Sequence, residues 1–295
     1  MFKQADNSVV IEGLLSELDL NYGSYTRDGK TREMISGVVT IRVNHEGEIL
    51  EIPVHVFANK ITNAGKPNPA FSNLETAMKT YKSIAAVGED QADGVRMTGA
   101  RITMNEYFSN QDGHLISFPR ITGSFINRVN RSDINYRASF EIVMVIANLS
   151  SETDAAGVET GRLKIGAYVP KYGNSVDLVT FFAENQGVID VIEQYWEVGA
   201  TVKAIGRLMF TARTEKVQSA VDFGEPVVST RTIRANDLII TGGAQLPLEG
   251  EFAYSEDDIA EGLATREAQL ENLKARTQKT AAPAKKAPMA SKYGF

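Results

Sequence analysis

Two runs of alternating apolar and polar residues, Gly37–Val43 and Glu51–Lys60, flank the turn-like stretch Asn44–Gly47 and predict a β-hairpin. Val39, Ile41 and Val43 share one face of the first run, with Thr40 and Arg42 on the other. In the second run Ile52, Val54 and Val56 oppose His55, Phe57 and Asn59. With the aliphatic face turned to a core, Arg42 and Phe57 stand on the outer side of one hairpin. A cation beside an exposed ring is the arrangement on which unpaired bases stack.

The same alternation places the other elements. Val9–Leu20 predicts a first strand, followed by a polar loop, Asn21–Arg32, with two tyrosines and three bases. After the hairpin, Ile61–Ser72 reads as a loop and Asn73 as the N-cap of a helix over Leu74–Ala86. Gly94–Tyr107 and Leu115–Val129 predict two more strands. Three strands, a helix and two strands is the order of the OB-fold.

The order then repeats. Phe140–Leu149 predicts a first strand, and Arg162–Val169 with Ser175–Ala183 a second hairpin. A helix follows over Gly187–Glu197, then strands over Ala200–Arg213 and near Thr230–Thr241. The fourth strands share a pattern of Val, base, two residues and Gly, at Val95–Gly99 and Val202–Gly206. The expected fold is mainly β, with two tandem OB-fold domains over residues 1–132 and 133–247. An acidic linker containing a helix is expected over 248–276, and a disordered Ala/Pro/Lys-rich tail over 277–295. The repeat also sets Phe181 in the place of Phe57, with Lys164 and Tyr168 on the neighbouring strand.

Charge complicates this picture. The chain is net −6, and residues 1–248 hold 29 acids against 24 bases. A nucleic acid must therefore be held by local cations rather than attracted by net charge. No cysteine is available for disulfides or thiolate metal sites. No run is long enough for a membrane-spanning helix, and the first residues lack an apolar leader, which leads us to expect a cytoplasmic protein. His45, His55 and His114 stand apart, and no phosphate-binding glycine loop occurs, so neither an enzyme nor a bound cofactor or metal is expected.

Cations for phosphates and rings for bases are present in both halves. The first-domain candidates are Tyr22, Tyr25, Arg27, Lys30, Arg32, Arg42, Phe57, Lys60, Lys66, Arg96, Arg101, Tyr107 and Phe108. In the second domain they are Lys164, Tyr168, Lys171, Tyr172, Phe181, Lys203, Arg207 and Arg213. The second domain's first loop, Ser150–Thr160, is acidic, which predicts tighter binding by the first domain. Tyr293 and Phe295 are candidate pegs for a partner protein.

Tandem OB-like repeats, an acidic linker and a tail ending in Phe295 resemble the single-stranded DNA-binding proteins of tailed bacteriophages. The resemblance is architectural and covers most of the chain. It implies a protein that coats unpaired DNA during replication and recombination in an infected host cell, and a C-terminal tip that recruits replication or recombination proteins. Two features depart from the family: Lys285, Lys286 and Lys292 make the tip basic, and the cysteines with which some relatives bind zinc are missing. A phage structural or assembly protein built from β-rich domains is the alternative.

Overall fold

Strand alternation in the first half closes a ring. A computed structural model of the chain describes residues 2–110, 112–154, 156–219 and 227–281, apart from the side chains of 212–219, 227–235 and 278–281. The ring is built from β1 (Asn7–Arg27), β2 (Lys30–His45), β3 (Glu48–Asn59), β4 (Gly94–Phe108) and β5 (Leu115–Gly123). β1 pairs antiparallel with β2 and β4, β2 with β3, and β4 with β5, while β3 and β5 pair in parallel. That closure is the OB-fold. β6 (Phe125–Val129) continues β5 past Ser124 along the same edge of β4.

The second ring repeats the first with β7 (Arg137–Thr153), β8 (Glu159–Lys171), β9 (Ser175–Ala183), β10 (Thr201–Ser219) and β11 (Val227–Gly243). Its parallel contact joins β9 to β11, and β10 closes on β7. Each first strand carries a bulge, at Leu15/Glu17 and at Ile146/Asn148, where closing a small barrel requires the strand to bend. The rings are joined edge to edge, because Asn7–Glu12 of β1 pair with Ile142–Arg137 of β7. One apolar core runs through both, from Ile11, Ile41 and Met97 to Ile165, Phe181 and Leu208.

The repeated Val-base pattern has a structural meaning. Arg96 donates to Glu12 at 2.8 Å, and Lys203 lies 2.5 Å from Glu141, so each base meets a carboxylate on its own ring's first strand. Glu12 is fully buried. Burial alone would raise its pKa, but the Arg96 hydrogen bond, the Asn135 N–H and the charges of Arg96 and Arg137 together hold it below 4.5. At the end of the pattern, Gly206 leaves room for a ring: a Cβ there would lie 2.2 Å from Phe140 Cζ.

Several boundaries differ from expectation. The first helix, α1 (Pro69–Thr80), begins five residues earlier, capped by Asn68, whose side chain accepts from Ala70 N–H. Pro69 is a favourable first residue rather than a loop marker. Asn73 lies inside α1, and its amide exchanges two hydrogen bonds with the Ile126 backbone, covering the free edge of β6. A short helix, α2 (Ile84–Val87), follows. Asn21–Arg32 is an extended hairpin arm, not a loop. It turns at Asp28-Gly29, both at positive φ, as Asp-Gly hairpin turns require. The expected last strand of the first domain breaks at Ser124 into β5 and β6.

The second-ring helix, α3 (Gln186–Tyr195), lies where expected, capped by Asn185. Beyond the second ring, Ser255 and Asp258 exchange hydrogen bonds at the start of α4 (Glu256–Ala281). Ile259 and Leu263 of α4 pack on Val145 and Val176 of the second ring.

Candidate nucleic-acid interface

Reading across the outer face of the first ring, strand register aligns one continuous row. Ser36 stands opposite Phe57, and Val38 opposite His55. His55 pairs across the parallel contact with Thr122, which faces Arg101. Beyond it follow Arg120 opposite Thr103, Phe118 opposite Asn105, and Ile116 opposite Tyr107.

Rings lie at both ends of this row. Tyr25, on the β1–β2 arm, sits 6.3 Å from the half-exposed Phe57, and Tyr107 meets Phe118 edge to face at 6.4 Å. In register Phe57 lies level with Ser124, six residues along from Phe118, or about 20 Å at the strand rise. A groove of about 500 Å³ runs between Phe57, His55, Arg101 and Arg120. A second, of about 550 Å³, continues past Arg120 to Phe118, where Phe210 and Asn236 of the second ring form its far wall.

The electrostatics favour an anion between the rings. Among the described residues, no carboxylate lies within 4 Å of the guanidinium of Arg101 or Arg120. Among the described residues the Arg120 Nε is buried without a hydrogen-bond partner, as are those of Arg137, Arg162, Arg207 and Arg266. Burial and then the charge of Arg120 push the His55 imidazole below its usual 6.5, so it is neutral at pH 7. Glu17 and Glu51 line the far groove, the latter already held by Arg42.

Few of the other expected residues join this row. Arg42 shares the outer face with Phe57 but stands six residues away, opposite Glu51, and is clamped by Glu51 at 2.6 Å and Glu89 at 3.0 Å. A cation so neutralised does not form a platform with Phe57. Arg96 is spoken for by Glu12. Tyr22 turns to the α1 side, against Phe71, and donates to Glu75. Arg32 donates to Asn63, Lys60 pairs with Glu33 at 2.5 Å, and Arg27 lies 3.7 Å from Asp28. Lys30 and Lys66 are exposed near the arm and the following loop. Phe108 points to the back of its strand, under Lys274 of α4 at 5.9 Å.

The largest correction is Phe181. It is 0% exposed and packs on Phe140 at 5.7 Å, whereas Phe57 is 53% exposed. Counting from the bulge in each ring, Phe182 takes the place of His55 and Glu184 that of Phe57. Phe182 itself is covered by the Arg162 guanidinium at 4.2 Å, which Glu152, Glu184 and Asp237 hold in place. The second ring's equivalent face is therefore filled by its own side chains.

The remaining second-ring candidates are scattered. Tyr168 packs beside Ile259 of α4, Lys171 pairs with Asp177, and Lys203 with Glu141. Arg207 links the rings, reaching Glu184 at 3.2 Å and His45 of the first ring at 3.5 Å. Lys164 and the 86% exposed Tyr172 are open to solvent. The Arg213 side chain, Tyr293 and Phe295 lie outside the described residues.

Sequence reading missed His55, Phe118 and Arg120. Ile116, Phe118 and Arg120 alternate along the predicted fifth strand, which is the signal that could have found them.

Two solved structures of the single-stranded DNA binding protein from Thermus aquaticus are similar to this chain. The wild-type protein is 10% identical with a TM-score of 0.46, covering 84% of this chain and 96% of that one. A deletion mutant is 14% identical with a TM-score of 0.43, over 84% and 97%. A replication protein A heterotrimer bound to single-stranded DNA is 10% identical with a TM-score of 0.20, over 80% and 49%. At such scores the fold rests on the strand pairings themselves. No curated protein matches the sequence. The YorF family model matches residues 5–276, and on that match the chain belongs to the YorF family.

Proposed function

We propose that this protein binds single-stranded DNA without reading its sequence, along the outer face of the first ring. Bases stack at the Tyr25–Phe57 and Tyr107–Phe118 ends, and phosphates pass Arg101 and Arg120 between them. The observation that carries this reading is the pair Arg101 and Arg120: neither meets a carboxylate among the described residues, and they line grooves that reach Phe57 on one side and Phe118 on the other. Coating and protecting unpaired DNA in phage replication or recombination is the role we assign, with partner proteins recruited through the tail. Among the described residues no helix is long and apolar enough to cross a membrane.

Fluorescence anisotropy with an oligo-dT strand tests the reading. Binding should weaken steeply with salt, and Arg120→Ala should lower affinity about tenfold, as expected for a lost charge-assisted contact. No binding at about 50 mM salt would sink the proposal and favour a structural or assembly role.

His55 adds a pH dependence. Burial is the larger cause of the depressed imidazole and the Arg120 charge the smaller; a phosphate beside Arg120 offsets the second and itself favours the imidazolium, so we expect the pKa to be higher in the complex than in the free protein. Binding then takes up a proton, and affinity rises as pH falls from the imidazole's pKa in the complex toward its lower pKa in the free protein. In His55→Gln that rise should be lost; a pH profile identical to wild type would show the imidazole to be a bystander.

A further inference from the structure

Among the described residues, the β4–β5 strands beyond Ile102 and Ile121 pair only with each other, and β3 meets β5 only at residues 121–123. A two-stranded ribbon is marginal alone. Its front nevertheless carries Tyr107, Phe118 and Arg120. Something must hold the ribbon, and its back face shows what does.

There Glu106 forms an ion pair with Arg266 of α4, both side chains largely buried, and also accepts from Ser117 Oγ at 3.2 Å. Lys274, two turns further along α4, lies over Phe108. Asp177 of β9 accepts from the Met104 N–H at 3.4 Å and is itself held by Lys171. The first half of α4 is fixed to the second ring: Ile259 is buried there, and Glu261 accepts from Asn174 at 2.6 Å. At Gly262 a Cβ would meet Val176 Cγ1 at 2.6 Å, so helix and strand touch backbone to side chain.

We propose that α4 is the brace of the binding ribbon and that Arg266 is its positioning residue. Anchored on the second ring, α4 grips the back of the first ring's ribbon and holds Phe118 and Arg120 in the row that begins at Phe57. Arg266 meets no ligand; it acts through Glu106. This inference rests on the proposed binding face for its consequence, though not for its mechanics.

In the full-length protein, Arg266→Gln should lower oligo-dT affinity about tenfold, within the range seen for residues that couple without contact. The salt slope should stay as in wild type, because no phosphate contact is lost. Amide hydrogen exchange should quicken over residues 103–108 and 115–119 and not in the rings. The exchanged pair Glu106→Arg with Arg266→Glu should restore both affinity and protection. Unchanged protection of the ribbon would overturn the brace, as would a salt slope reduced by about one, which would make Arg266 a phosphate contact. If wild type binds no oligo-dT, the proposed function fails, and the exchange rates alone still decide whether α4 holds the ribbon.

Discussion

Phe181→Ala should destabilise the protein by about 3–5 kcal/mol, while Phe57→Ala should change stability by less than about 1 kcal/mol. Phe181 is fully enclosed beside Phe140, and its removal leaves a cavity that the strands of a closed ring cannot collapse to fill. Phe57 is half exposed and touches Tyr25 on an arm. Urea titration of the two variants measures the difference directly through the midpoint shift. Equal and small effects would mean that Phe181 is not in the core, and that the two phenylalanines are equivalent after all.

Affinity should show the reverse order. The Phe57→Ala, Phe118→Ala double variant should lose about 100-fold in oligo-dT affinity with its salt slope nearly intact. Each stacked base is worth about 1–3 kcal/mol, and stacking releases no counterions. Arg42→Ala should leave affinity within about threefold, since that guanidinium already serves Glu51 and Glu89. Titration at several salt concentrations separates the two kinds of contact. If Arg42→Ala weakens binding and the ring variants do not, the interface lies at the other end of the hairpin.

The reversal at Phe181 has a specific cause. In Ser175–Ala183 both alternating sets are apolar, Val176, Leu178 and Phe182 against Val179 and Phe181. The repeat sets Phe181 against Phe57, whereas register places Phe181 level with Val54, and nothing in the alternation of this run tells the two sets apart. In the structure Asp177 is buried and satisfied by Lys171 and the Met104 N–H, and its set faces the core while Leu178 is exposed. Neither partner is adjacent in a way that alternation could reveal. The arm at Asn21–Arg32 departs from its loop-like sequence for a related reason. Its composition is that of a loop, but its backbone hydrogen bonds are supplied by pairing across the Asp28-Gly29 turn.

Strand order, the helix between third and fourth strands, their repetition and the faces of the first hairpin are legible in the amino-acid sequence. All of these follow from side-chain period and turn chemistry, which are local properties of the chain. Which cations remain available depends on how the folded chain brings distant carboxylates together. Arg42 is taken by Glu89, Arg96 by Glu12, Arg162 by Asp237 and Arg266 by Glu106, each from a distant part of the chain, whereas Arg101 and Arg120 meet no carboxylate among the described residues. An arginine's local sequence sets the direction of its side chain, but ring closure and the edge-to-edge joining of the rings bring the carboxylate to it or leave it facing the groove.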